Sequence, residues 1–215
     1  MNPIDFILHI DKHLEYIVTN YETTTYVILC LIVFCETGLV VTPLLPGDSL
    51  LFAAGAIIAK VGVLNIWILI PLLIISAILG DNVNYFIGNY FGPTVFEKKK
   101  IPFLKKEYLE RTQKFYDEHG GKTIIMARFI PIIRTFAPFV AGVGSMKYSR
   151  FMGFSVFGGI LWVNLLTLAG FYFGNFDIVK NNFELVVFGI IGISLMPMVF
   201  MYFKNKFFAD KKVNG

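Results

Sequence analysis

Apolar residues fill this chain in long blocks, and polar residues interrupt the blocks at a few recurring places. Residues 1–22 stand apart. Phe6, Ile7, Ile10, Leu14 and Ile17 recur at helical spacing with Asp11, Lys12 and Glu15 on other faces, which predicts an amphipathic helix lying in a membrane interface. The start lacks a basic segment, an apolar core and a small-residue cleavage site, so the chain is expected to keep its first residues and to insert through later segments. From Thr24 to Val41 runs the first block long enough to span a bilayer, about 18 residues. Pro43-Leu44-Leu45-Pro46-Gly47-Asp48 then breaks any continuous helix, and the run from Ser49 to Ala59 is too short to cross alone.

The next block, 64–92, is interrupted near its middle by Gly80-Asp81-Asn82-Val83-Asn84. Residues 93–122 read as a basic amphipathic loop, with eight Lys/Arg between 97 and 122, helical spacing of Leu104, Tyr108 and Phe115, and a stop at Gly120-Gly121. Residues 123–146 are apolar but carry Arg128, Pro131, Arg134 and Pro138. Two further spans follow, 151–174 and 183–203, then a basic tail over 204–215.

The basic residues set an orientation. Placing the 97–122 loop, the tail, Lys147, Arg150 and Lys12 in the cytoplasm leaves only Lys60 and Lys180 outside, besides the two arginines inside apolar sequence. The positive-inside rule prefers that arrangement, with both termini cytoplasmic. It also makes 43–60 and 123–146 re-entrant hairpins that enter from opposite faces. A weak repeat points the same way. Gly88-Asn89-Tyr90-Phe91-Gly92 recurs as Gly170-Phe171-Tyr172-Phe173-Gly174, and Ala54-Gly55 recurs as Ala141-Gly142 after each proline-broken hairpin. The expected fold is therefore an all-α integral membrane protein of one domain: an inverted repeat (23–92 and 123–175) of two re-entrant hairpins packed among transmembrane helices.

Composition excludes a soluble globule. Hydrophobic residues make up 56% and charged residues 16%, with mean hydropathy +0.67, against roughly 25% charged in soluble domains. Cys30 and Cys35 sit in an apolar run, His9, His13 and His119 in polar flanks, and no metal-ligand spacing occurs. No cofactor, metal or nucleic acid is implied.

Four ionisable residues then stand out inside apolar blocks: Glu36, Asp48, Arg128 and Arg134. Each Arg or Asp at the centre of a membrane helix costs about 2.5–3.5 kcal/mol on insertion scales, so two acids and two bases are expected to neutralise one another in a water-accessible cavity. Pro131 lies between the arginines and should let both guanidinium groups turn toward one point. Two permanently charged planar forks at membrane depth suit a phosphate or carboxylate. Glu36 and Asp48 would hold the arginines when the site is empty, or take up protons. Asp81 with Asn82 and Asn84 reads equally as a cavity-lining polar belt or as a helix-packing hydrogen-bond cluster.

At these residues the sequence resembles the DedA family, also called the SNARE-associated or VTT-domain family. The resemblance rests on Glu36-Thr37-Gly38, Pro43 to Asp48, Ala54-Gly55, Gly80-Asp81, Tyr85-x-x-Gly88, Arg128 to Thr135, Pro138 and Ala141-Gly142, and covers about residues 20–175. It implies a lipid transporter in a bacterial cytoplasmic membrane, with Glu36 and Asp48 as the acidic pair and Arg128 and Arg134 as the functional arginines. Bacterial members include transporters returning undecaprenyl phosphate to the cytoplasmic leaflet and others moving phosphatidylethanolamine, while eukaryotic relatives scramble phospholipids. Proton-coupled transport of undecaprenyl phosphate is the leading expectation, and flipping or scrambling of phospholipids the alternative. A lipid-phosphate enzyme would want a histidine or cysteine nucleophile or a carboxylate metal cluster beside the arginines, and none is present in the sequence. Homo-oligomerisation stays open.

Overall fold

The structure is a computed structural model that describes residues 21–39, 47–96, 114, 116, 118–144, 146–176 and 189. The side chains of 92–96, 131 and 132 are not among those described. The expected interfacial helix up to residue 20, the loop over 97–113, the proline turn over 43–46, the tail, and all but Gly189 of the 183–203 span therefore lie outside the described residues. Six α-helices and one short 3-10 turn are fully delimited among the described residues: α1 Glu22–Gly38, α2 Gly47–Val61, α3 Ile66–Phe96, the 3-10 turn Gly120–Lys122, α4 Thr123–Ala127, α5 Pro131–Val143 and α6 Tyr148–Gly174. No strand occurs among them.

Local chemistry explains several of the boundaries. Gly62 follows α2 at φ +70, a left-handed conformation that costs glycine nothing and reverses the chain. Asn65 caps α3, its side-chain oxygen accepting the Trp67 N–H at 2.9 Å. The Tyr26 hydroxyl accepts the Asn65 backbone N–H at 2.7 Å, tying α1 to the start of α3. Pro131 opens α5 at a position where its missing N–H costs no hydrogen bond. The polar interruption expected inside 64–92 does not break the helix, since α3 runs unbroken through Gly80 to Asn84. Its polar side chains are used for contacts instead.

Among the described residues, two helices are long and apolar enough to cross a membrane, Ile66–Phe91 and Tyr148–Gly174. At 1.5 Å per residue each reaches about 40 Å, more than the roughly 30 Å of a hydrocarbon core. Their burial runs against that of a soluble core helix. Along α3, Ile68, Leu72, Ile75, Leu79, Val83, Phe86 and Tyr90 form an exposed stripe, and along α6 Phe157, Ile160, Leu161, Leu165 and Tyr172 do the same. The interior meanwhile holds Glu36, Asp81, Asn84, Arg128, Arg134 and Ser155. Apolar outside and charged inside is the arrangement a hydrocarbon solvent selects.

The halves exchange partners at glycines. In one seam, α2 lies on α6: a Cβ at Gly55 would strike the Thr167 carbonyl and Phe171 amide, and one at Gly170 the Phe52 carbonyl. In the other, α5 lies on α3: a Cβ at Gly142 would strike the Tyr85 carbonyl and Asn89 amide, and one at Gly88 the Phe139 carbonyl. The residues correspond one for one, so the repeat noted in the sequence is a repeat of backbone-to-backbone contacts. Small residues are what permit helices to approach this closely. Around the seams sit apolar clusters, one of Val33, Leu51, Leu69, Leu73, Trp162 and Val163, another of Phe136, Phe139, Val140 and Val143, and a third of Tyr85, Ile124, Ala141 and Phe151.

Candidate functional site

Three helix ends converge beside the middles of α3 and α6. Glu36 lies in the last turn of α1, Asp48 in the first turn of α2 and Arg134 in the first turn of α5. Helix ends leave backbone groups unpaired and carry partial charge, positive at N-termini and negative at C-termini. Asp48 stands at the end that favours it, whereas Glu36 and Arg134 each stand at the end that disfavours their own charge. Joining them compensates both.

Arg134 does the joining. Its Nη2 donates to Glu36 Oε1, and its Nη1 donates to Asp48 Oδ1 at 2.6 Å. The fork thus spans two carboxylates from two helices. Glu36 Oε1 also accepts the Gly47 backbone N–H at 3.2 Å. A Cβ on Gly47 would land on the Glu36 carboxylate, so only glycine lets the start of α2 close over it. The two acids differ in access: the Glu36 side chain is 1% exposed and that of Asp48 39%.

Arg128 meets a different partner. It lies in the three-residue break between α4 and α5, and its Nη2 donates to Asp81 Oδ2 and to the Ser155 carbonyl, the latter at 3.2 Å. Ser155 Oγ donates to the same Asp81 oxygen at 2.6 Å. The expectation that two acids would neutralise two arginines at one point is revised in this respect. Asp81 is the counterion of Arg128, and Glu36 and Asp48 share Arg134. Asp81 is buried in that ion pair, while half-buried Asn82 bonds the Ile78 carbonyl at 2.7 Å and accepts the Tyr148 hydroxyl at 2.8 Å. Neither arginine bonds Asn82. Asn84 Nδ2 donates to the Thr37 and Thr135 carbonyls at 3.0 and 2.8 Å, the residues next to Glu36 and Arg134.

Besides Ser155, a second residue of the site escaped the sequence reading. Trp162, fully buried on α6, donates its Nε1–H to Asp48 Oδ1 at 2.8 Å. Its ring also lies under both guanidinium groups, 5.8 Å from Arg128 Cζ and 5.2 Å from Arg134 Cζ, within cation–π reach. An uncharged aromatic in an apolar block carries no signal, and its spacing to Asp48 is set only by the packing of α2 on α6. Arg134 Nε, Arg128 Nε and Nη1 and Glu36 Oε2 are buried without a hydrogen-bond partner among the described residues. No group of three or more His, Cys, Asp or Glu fit to hold a metal occurs among the described residues, and Cys30 and Cys35 are free thiols.

An all-helical body with an apolar exterior and ion-paired arginines where broken helices meet defines a class of membrane protein. The VTT domain model matches residues 45–172, which hold Asp48, Asp81, Arg128, Arg134 and Trp162 and leave Glu36 just ahead. The chain is 52% identical over 204 residues to Protein DedA of Escherichia coli K12, covering 94% of this chain and 93% of that one. It is 45% identical over 166 residues to a membrane protein of Mycobacterium leprae, covering 77% and 74%, and 33% identical over 178 residues to Inner membrane protein YqjA of Escherichia coli K12, covering 83% and 79%. No solved structure matches it. The chain belongs to the DedA family of VTT-domain membrane proteins.

Proposed function

We propose that this protein is a transporter that moves undecaprenyl phosphate across the cytoplasmic membrane for carrier-lipid recycling, with protons as the coupling ion. The observation that carries the reading is the Arg134 fork, buried inside an apolar exterior and held by two carboxylates that an anion could replace. A phosphate monoester offers a guanidinium the same planar pair of oxygens that a carboxylate does, so exchange conserves the hydrogen bonds. The apolar stripes along α3 and α6 suit a substrate whose tail stays in hydrocarbon. In this reading the chain crosses the membrane several times with both termini cytoplasmic, and hairpins 43–60 and 123–146 enter from opposite faces to meet near the midplane.

Proton coupling follows from a count of charge. Glu36 and Asp48 set two negative charges against the one positive charge of Arg134. A proton on either acid weakens its hold on the guanidinium and favours the anion, and by linkage the anion favours the proton to the same degree. Anion binding should therefore strengthen as pH falls. The test is binding and transport of undecaprenyl phosphate by purified protein in liposomes across pH, with phosphatidylethanolamine as comparison. Saturable uptake of undecaprenyl phosphate that rises toward acid pH is expected. Movement of phosphatidylethanolamine alone would replace this reading with the phospholipid one, and phosphate release would make the protein an enzyme.

A further inference from the structure

The two carboxylates on Arg134 are not equivalent, and their surroundings assign them separate roles. Glu36 is sealed: its side chain is 1% exposed, its Oε1 accepts both Arg134 Nη2 and the Gly47 N–H, and Gly47 closes over it without room for a side chain. Asp48 is the open member of the cluster among the described residues, at 39% exposure against 8% for Arg134. Its Oδ1 is shared between Arg134 at 2.6 Å and the Trp162 indole N–H at 2.8 Å. Asp48 also has a favourable helix N-terminus beneath it, so it can leave Arg134 without losing every compensating partner. Glu36 has the opposite end of α1 beneath it and, among the described residues, one N–H besides Arg134.

We propose that Asp48 is the exchangeable carboxylate of the site, displaced from Arg134 by the incoming anion, that Trp162 is a positioning residue whose N–H retains Asp48 once displaced, and that Glu36 stays on Arg134 throughout to aim it. This rests on the reading of Arg134 as the anion-binding group and adds the order in which its partners let go. The incoming oxyanion takes the Nη1 position from the open side. Arg134 Nε, buried without a partner among the described residues, leaves a spare donor on the same guanidinium. The displaced carboxylate keeps the indole N–H, and the ring stays under Arg134 whichever anion the fork holds.

The roles separate in a double-mutant cycle. Dodecyl phosphate, a single-chain lipid phosphate, is the probe, and its binding to purified full-length protein in nanodiscs is measured for wild type, Asp48→Asn, Glu36→Gln, Trp162→Phe and Asp48→Asn/Trp162→Phe. Asp48→Asn removes the competitor and should tighten binding about tenfold, the worth of one charge-assisted hydrogen bond. Glu36→Gln should not tighten it, because Arg134 loses the anchor that aims it. Trp162→Phe keeps an aromatic face and loses the N–H, so binding should weaken about fivefold in wild type and hardly at all in the Asp48→Asn background, a coupling that loss of packing alone does not produce. Equal tightening by Asp48→Asn and Glu36→Gln overturns the proposal, as does a Trp162→Phe effect of the same size in both backgrounds. A second arm follows the Trp162 indole N–H resonance during titration with inorganic phosphate. The signal should move in wild type and stay still in Asp48→Asn; no movement in wild type also overturns the proposal. The arms separate two kinds of failure. Lipid transport with equivalent acids leaves the transport reading standing without this mechanism, whereas the expected cycle without any lipid movement leaves an anion site that is not a transporter.

Discussion

Arg128 and Arg134 lie six residues apart in one short segment, yet they meet opposite surroundings. Arg128 has one acid, Asp81, and the pair is closed by Ser155 into a neutral, sealed unit. Arg134 has two acids, one of them open, so its centre holds more acids than cations and has a way in. Both groups stack on Trp162, which makes the contrast one of counterions rather than of depth. A matched buried pair holds a structure in place because separating it strands charges in a medium that cannot solvate them. A mismatched cluster is easier to rearrange, since one of its members is always in excess. The Arg128 pair thus suits a fixed brace, and the Arg134 cluster suits exchange.

The comparison breaks most visibly at the brace. Arg128→Leu leaves Asp81 buried without a cation and should cost about 3–5 kcal/mol, read as lost thermal stability of the detergent-purified protein. The double variant Asp81→Leu/Arg128→Leu should recover most of that loss. A single variant as stable as wild type would mean that Arg128 is no brace at all.

The seams allow a second test. Gly88→Ala and Gly170→Ala each push a methyl group against a carbonyl of the facing helix, so each should destabilise by about 1–3 kcal/mol. Because the contacts correspond, the two losses should match within about 0.5 kcal/mol and add in the double variant. Unequal losses would show that one half carries the fold and the other only decorates it.

The smallest effect on stability, and the most selective on function, is expected at Arg134. Lysine keeps the charge but cannot span two carboxylates on one rigid plane. Arg134→Lys should insert and melt nearly as wild type while lipid transport falls at least about tenfold, measured in the same liposomes. Transport at the wild-type rate would reduce the fork to a point charge and erase the distinction between the two centres.

Much of this was legible along the chain. The apolar blocks, the glycine pairs of the repeat and the four charges in apolar sequence are local patterns, because a hydrocarbon solvent penalises every exposed polar group wherever it falls. The polar stretch from Gly80 to Asn84 was legible as an interruption of an apolar block, but not the contacts it makes within the continuous α3. In the fold, Gly80 permits the approach of Thr37 and Gly38, and Asn84 reaches two neighbouring backbones.

What the sequence by itself determined is therefore which residues could not face lipid: two acids and two arginines beside helix breakers, with Asp81 held in reserve. Which acid each arginine would take was decided only in three dimensions. Charge neutrality constrains the total and is blind to pairing, because Coulomb attraction between Arg134 and any of the three acids differs only through distance and burial. Those distances come from the packing of α2 on α6 and of α5 on α3 through their glycines. The same packing set Trp162 against Asp48, 114 residues away along the chain, a contact that no local pattern of either residue encodes.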